Sequence, residues 1–282
     1  MNVEVVFLPP IATELPSKLC VVIDVLRATS TLVSIFEAGA ERVVLAESIP
    51  AALAYADGSK ERPLVCGESG GLAPDGFDLG NSPREFRPEA VKGKELCFCT
   101  SNGTRAMRRV SSSPVVFAGC LLNGTSLARR AVREASAREL DIAVVCSGDI
   151  LGSKFAIDDA FTAGYLVKLM QREAAGPTVA DAEAGKRFVD ARAIREDEAV
   201  DLEFEESATA AIRLYESYLL EAGASDLDAL PPHKARITAF WESHNAQVLR
   251  RVGLAEDVVY GSLPSHPSVG CGAVPLRRLC SE

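Results

Sequence analysis

CVVIDVLRATSTLVSIF, residues Cys20 to Phe36, decides how the chain is read. Cys20 to Ile23 is an unbroken, mostly β-branched apolar run, the pattern of a strand buried on both faces of a parallel sheet. Leu32, Val33, Ile35 and Phe36 then recur at helical spacing, and Glu37-Ala38-Gly39 ends the helix on a glycine. Between strand and helix sit Asp24, Arg27, Thr29, Ser30 and Thr31. In open α/β sheets, ligands bind beyond the carboxyl ends of the strands, where helix starts offer free N–H groups. An acid, an arginine and hydroxyls gathered there suit a metal and an anion. The plainer alternative is that Asp24 caps the helix and Arg27 lies in solvent.

Moving outward, the same alternation repeats. Strands are predicted at Val3 to Leu8, Arg42 to Ala46, Leu64 to Cys66, Leu96 to Cys99, Val115 to Cys120 and Asp141 to Cys146. Helices follow at about Pro50 to Ala56 behind Ser48, after Asn102-Gly103-Thr104-Arg105, from Asn123-Gly124-Thr125 to Ala137, and from Asp158 to Met170. This order implies right-handed crossovers and a three-layer α/β/α fold around a mostly parallel sheet. Residues 171–230 lose the strand signal and read as a helical excursion, amphipathic from Glu203 to Leu220. It would pack on the sheet or on a second subunit, which admits a homodimer. The chain then returns with a helix over Ser243 to Val252 and a last strand at Asp257 to Tyr260. With no internal repeat and no low-complexity linker, residues 1–282 read as one domain.

Composition narrows the class. The formal charge of −9, without clustered Lys and Arg, argues against nucleic acid as a partner. Residues 1–160 are closer to neutral than the rest, which suits an anionic small molecule. No signal peptide or membrane-length apolar run is found, so a cytoplasmic, membrane-free protein is expected. Six of the eight cysteines lie in strand-like runs, and none forms a C-x-x-C pair or a zinc-spaced cluster. Free thiols in a reducing compartment are the economical reading; Cys271 and Cys280 fall in the irregular tail.

Several strand ends carry the same set of residue types: an acid or amide, a glycine, and a hydroxyl at the next helix start. Asp24/Arg27/Thr29, Glu68/Gly70/Gly71, Asp78/Asn81/Ser82 and Asn102/Gly103/Thr104/Arg105 are four such groups, extended by Asn123/Gly124/Thr125 and Asp158/Asp159. Caps alone explain one group more easily than four.

With its motifs VVIDVLRATST, GFDLGNSP and TSNGTRA, the sequence resembles the 2-phosphosulfolactate phosphatase family, magnesium-dependent enzymes of coenzyme M biosynthesis. The resemblance runs from about Val21 to Tyr260. It implies a Mg²⁺-dependent phosphatase acting on 2-phospho-3-sulfolactate or a related phosphorylated hydroxy acid. Asp24, Asp78 and Glu68 would be metal ligands, and Asp24, Glu68 and Asp159 would carry the chemistry. Arg27, Thr29, Asn81, Ser82, Asn102, Gly103, Thr104 and Arg105 would hold the phosphate and the rest of the substrate. One departure is plain: the family's acidic loop usually reads Gly-Glu-Arg-Gly-Gly, and Ser69 stands in the arginine's place.

Two alternatives carry their own signatures. CTSNGTR, Cys99 to Arg105, has the spacing of a cysteine-phosphatase loop, although Cys97 and Cys99 share one face of a strand and both would be packed. A phospho-aspartate mechanism is disfavoured, since no second acid stands two residues after Asp24. The other alternative is a phosphometabolite-binding protein without turnover. His233, His244 and His266 lie far from these motifs in sequence and read as bystanders.

Overall fold

The structure is a computed structural model that describes residues 1–9, 15–176, 200–227 and 230–264, and the backbone of 274–275. Its strands form two sheets. In the larger, the order is β8 (Glu203–Phe204), β1 (Asn2–Val6), β7 (Asp141–Cys146), β2 (Lys18–Ile23), β6 (Val115–Gly119) and β9 (Val274–Pro275). In the smaller it is β3 (Arg42–Leu45), β5 (Glu95–Cys99) and β4 (Leu64–Gly67). Every pairing is parallel except the short β6–β9 contact. The fold is α/β with a mostly parallel sheet, as the strand–helix alternation requires.

The division into two sheets is a refinement that periodicity could not supply. Strands β3 to β5 are buried on both faces, as expected. One face, with Val43, Leu45, Cys66, Leu96 and Phe98, joins the main core. The other, with Val65, Cys97 and Cys99, packs in a small separate cluster with Ala52 and Ala56 of α2 (Ile49–Gly58). Burial on both faces says that a strand is central, not which strand it pairs with.

The chain passes from β2 through α1 (Ala28–Glu37) to the smaller sheet. It returns through α4 (Gly103–Arg109), behind the short α3 (Pro88–Val91), then runs β6, α5 (Gly124–Ala137), β7 and α6 (Ile157–Ala175). Register aligns Ile23 with Cys146 on one side and Gly119 on the other, while Gly67 aligns with Cys99 in the smaller sheet. The residues after β2, β4, β5 and β7 therefore emerge on the carboxyl side of their sheets, where a site is expected.

Part of the expected excursion, residues 177–199 and 228–229, lies outside the described residues, as do His266, Cys271 and Cys280. The amphipathic segment is α7 (Glu206–Glu221), starting later than expected because Glu203 and Phe204 pair with β1. It packs on α6 and β1, so it covers the sheet of its own chain. Tyr215 and Tyr218 of α7 and Phe240 of α8 (His233–Trp241) surround Phe161 of α6, with ring centroids 5.3, 5.6 and 6.2 Å away. These offset and edge-on contacts fix the start of α6.

One expected element is corrected. Asp257 to Tyr260 is not a strand but part of a helix, α10 (Ala255–Gly261), following α9 (His244–Arg251). Two adjacent valines give a strand signal, yet Asp257, Val258 and Gly261 are buried while Val259 is exposed, the spacing of a helical face. Glu256 and Asp257 in the first turn also suit the helix dipole.

The crossing of α6 and α7 offers a test of the packing. A Cβ added at Gly164 would lie 2.2 Å from the carbonyl oxygen of Ala211 and 2.6 Å from Cβ of Tyr215, so only glycine lets the helices approach this closely. Gly164→Ala is expected to lower unfolding stability by about 1–3 kcal/mol or more, read by urea denaturation. An unchanged midpoint would contradict the packing described.

Candidate active site

Four strand ends from the two sheets meet around one pocket of about 180 Å³. β2 supplies Asp24, Leu26 and Arg27, and β4 supplies Glu68, Gly70 and Gly71. Ser101 and Asn102 come from the end of β5, Asp149, Ile150 and Leu151 from that of β7, with Asn81 from the long loop and Asn245, Val248 and Leu249 from α9.

The turn after β2 is tied down by its hydroxyls. Thr29 Oγ1 donates to the Asp24 carbonyl at 2.8 Å, Ser30 Oγ to the Val25 carbonyl at 2.9 Å, and Thr31 Oγ1 to the Asn81 carbonyl at 2.8 Å. Asp24 Oδ1 accepts from the Ala28 amide at 3.3 Å, so the residue caps α1 and lines the pocket at once. The neighbouring turn presses against it: a Cβ at Gly103 would stand 2.7 Å from Asp24 Oδ2 and 2.5 Å from the Ala28 methyl. That turn is laced by Thr100 and Thr104, each hydroxyl accepting from the other's amide at 3.1 Å.

Arg27 is not in solvent. Its side chain is 3% exposed; Nη1 donates to Asp257 Oδ2 at 2.8 Å and Nη2 to the Gly71 carbonyl at 2.7 Å. Asp257 Oδ1 in turn accepts from Ser82 Oγ at 2.6 Å. A buried pair of this kind is costly to break from one side, since the survivor is an unpaired charge. It joins α1, the glycine loop, the Asn81-Ser82 turn and α10. Two of the guanidinium's five donors are engaged in this way. Glu68 is held at the pocket by two backbone amides, Ser101 to Oε1 at 2.7 Å and Gly71 to Oε2 at 2.9 Å.

Several expected site residues stand elsewhere. Asp78 is outside the pocket: Oδ2 accepts from the Val65 amide at 2.8 Å and pairs with Arg62 at 2.9 Å, pinning the loop to β4. Arg105 is exposed and not among the pocket residues. The amides of Thr29 and Thr104 are already donated, to the Asp24 carbonyl and to Thr100 Oγ1, and do not serve a phosphate. Ser82 acts through Asp257. Asp159 is buried beneath the site, where Oδ1 accepts from the Val25 amide at 3.0 Å and Oδ2 from Ser147 Oγ at 3.0 Å. It thereby clamps the end of β2 to the end of β7. Asp24, Glu68, Arg27, Asn81 and Asn102 are brought together; Gly103 backs Asp24.

The structure adds residues that the sequence did not single out. Asp149 follows the strand-end pattern already seen at Asp24 and Glu68, a signal that was present in the sequence. Asp257, His244 and Asn245 carry no such signal, because α9 and α10 reach the site only through tertiary packing.

Three lining carboxylates, Asp24, Glu68 and Asp149, face one cation, Arg27, which Asp257 already neutralises. Burial first, and then the Glu68 charge, push the Asp24 carboxyl up to about 7. Burial likewise raises Asp158 to about 6 and holds Asp159 well above the usual carboxylate range, helped by its neighbours Asp158 and Asp24. Asp158 Oδ2 accepts from Asn245 at 3.3 Å, while its Oδ1 and the Asn81 Oδ1 are buried without a partner among the described residues.

A folded carboxyl with a raised pKa holds its proton where the unfolded chain has lost it, so folding stability falls as pH rises through that window. In chelator-treated protein, thermal stability is expected to decrease from about pH 4 to about pH 7, and Asp24→Asn to flatten the slope and raise Tm at pH 8. Equal slopes for both proteins in a pH series of melting curves would contradict this electrostatic picture.

Comparison with known proteins gives the family. The sequence profile of the 2-phosphosulpholactate phosphatase family matches residues 9–266. A relative named probable 2-phosphosulfolactate phosphatase, from Caldanaerobacter subterraneus subsp. tengcongensis, is 38% identical over 159 residues, 56% of this chain and 64% of the relative. The like-named protein of Thermotoga petrophila is 38% identical over 174 residues, 62% of this chain and 71% of its own. That of Caldicellulosiruptor saccharolyticus is 40% identical over 152 residues, 53% of this chain and 61% of its own. The first and third matches thus span less than two thirds of those relatives. The profile covers almost the whole sequence: the chain belongs to the 2-phosphosulpholactate phosphatase family.

Proposed function

We propose that this chain is a phosphoric monoester hydrolase that uses Mg²⁺ to release phosphate from 2-phospho-3-sulfolactate or a related phosphorylated hydroxy acid. The family and the relatives' names support the activity. The observation that carries the metal is the gathering of buried and half-buried carboxylates around one already paired arginine. Such a site repels a polyanion unless a cation intervenes.

The donors present suit Mg²⁺. Among the described residues no three His, Cys, Asp or Glu side chains form a ligand cluster, so a fully protein-made cage is not offered. Mg²⁺ commonly takes only one or two carboxylates and completes its shell with water and substrate phosphate. Asp24 and Glu68 are oxygen donors on one pocket, each carboxylate oxygen that already accepts an amide retaining a further lone pair. They would hold the ion. When bound, it would neutralise developing charge on the phosphoryl group and make a coordinated water more acidic.

The chain's own groups do the rest. Arg27 can fork onto phosphate oxygens with donors that Asp257 and Gly71 leave free, its orientation fixed by both. Asn81 Oδ1, buried and without a hydrogen-bond partner among the described residues, can accept from a water or a substrate hydroxyl. Leu26, Val248, Leu249, Ile150 and Leu151 add apolar surface to the pocket lining.

The cysteine alternative is weaker on this geometry. Cys99 is buried, and burial first, then Glu68, push its thiol up to about 11, away from the thiolate a nucleophile needs.

The assay is phosphate release from a panel of phosphorylated hydroxy acids that includes 2-phospho-3-sulfolactate. Chelation is expected to abolish release and added Mg²⁺ to restore it. Cys99→Ser with Mg²⁺ present is expected to stay within about tenfold of wild type, a barrier change of about 1.4 kcal/mol. Full activity in excess chelator, together with loss of activity in Cys99→Ser, would replace the metal reading with the thiol one. No release from any member of the panel would favour a binding protein without turnover.

A further inference from the structure

The loop after β7 holds two large apolar residues in a conformation that their type disfavours. Ile150 and Leu151 have φ of 45° and 57°, the left-handed region that few residues other than Gly, Asn and Asp adopt. For the β-branched Ile150 it is a genuine outlier. Neither side chain gains burial in exchange, since Ile150 is 46% and Leu151 52% exposed. Both line the pocket. Backbone strain of this kind, kept where it brings no core packing, is characteristic of ligand-contacting segments.

The shape is imposed from several sides. Asp149 and Lys154 exchange backbone hydrogen bonds at 2.8 and 3.0 Å, and the flanking Gly148 and Gly152 have φ of 68° and 79°. The Ile150 amide donates to Asp149 Oδ1 at 2.6 Å, and its carbonyl accepts from Ser153 Oγ at 2.7 Å. The Leu151 amide donates to Asn102 Oδ1 at 2.8 Å, which ties the loop to the turn after β5. Asp149 Oδ2 lies 2.6 Å from Nδ1 of His244, which ties it to α9. With these backbone groups engaged, what Ile150 and Leu151 offer the pocket is their side chains. Leu26, Val248 and Leu249 add further apolar surface, while Asp24, Glu68 and Arg27 make up the charged part of the lining. In about 180 Å³, a small ester must fill the space with its phosphate and its carbon skeleton together.

We propose that Ile150 and Leu151 are specificity-determining residues that contact the carbon branch on the phosphate-bearing carbon of the substrate. The proposal rests on the phosphatase reading of the site. The substrate class it names is a small phosphorylated 2-hydroxy acid that carries such a branch, preferred over the unbranched acid. A hydrophobic contact with one extra carbon is worth about 10-fold or more in kcat/KM.

The test compares kcat/KM for 2-phospholactate, which has a methyl branch, with that for phosphoglycolate, which has none. Any intrinsic difference between the two esters cancels when the ratio in a variant is set against the ratio in the wild type. The double variant Ile150→Asn/Leu151→Asn removes the apolar surface with residues that tolerate the left-handed conformation, so the loop keeps its shape. The preference for 2-phospholactate is expected to be about tenfold or more in the wild type and to fall by about tenfold in the variant. Its Tm is expected to equal or exceed that of the wild type, because strain is relieved and little burial is lost. An unchanged ratio, as from equal losses on both esters, would overturn the proposal; so would a lowered Tm, which would make the two side chains structural. A wild-type protein that releases phosphate from neither ester would instead overturn the phosphatase reading.

Discussion

Three buried aspartates with too little positive charge to balance them set the terms for this structure. Asp24, Asp158 and Asp159 are each almost wholly removed from water, and burial raises the pKa of all three. Arg27, the one cation lining the pocket among the described residues, is committed to Asp257. Protein interiors tolerate such charges only when they are protonated, paired or bound to a metal. Asp159 is compensated by amides and a hydroxyl and becomes a clamp between β2 and β7. Asp24 lines the pocket, and the shortage of positive charge there is what motivates the proposed cation.

The rest of the fold holds that arrangement in place. Two parallel sheets bring four carboxyl strand ends together, and hydroxyls at residues 29, 30, 31, 100 and 104 lock the turns that carry the acids. The aromatic packing around Phe161 fixes α6, which carries Asp158 and Asp159, against α7 and α8. The Arg27–Asp257 pair then fastens the far end of the chain to the first helix. Residues more than two hundred positions apart thus depend on one another for their geometry.

What the sequence made legible follows local rules. The strand-and-helix alternation, the Ser48 cap, and the acid-bearing turns after Ile23 and Gly67 all follow from nearest-neighbour chemistry, and the structure shows them. Side-chain direction was less legible. Asp78, Thr29, Thr104 and Arg105 stand in the right motifs, yet a loop residue's facing depends on which neighbour claims its hydrogen bonds, and Arg62, Asp24 and Thr100 claim the first three. Least legible was the contribution of α9 and α10. The Val258-Val259 pair suggests a strand, and only packing on Leu26 and the pairing with Arg27 show why the segment is helical and why Asp257, Asn245 and His244 belong to the site.

The central claim is that Asp24 and Glu68 together hold a divalent cation where these strands meet. Calorimetric titration of Mg²⁺ into metal-stripped protein at pH 8 tests it most directly. The account predicts one ion per chain, with binding abolished in Asp24→Asn and weakened at least tenfold in Glu68→Gln, while Asp78→Asn binds as wild type does. Undiminished binding in Asp24→Asn, or loss of binding in Asp78→Asn alone, would contradict it.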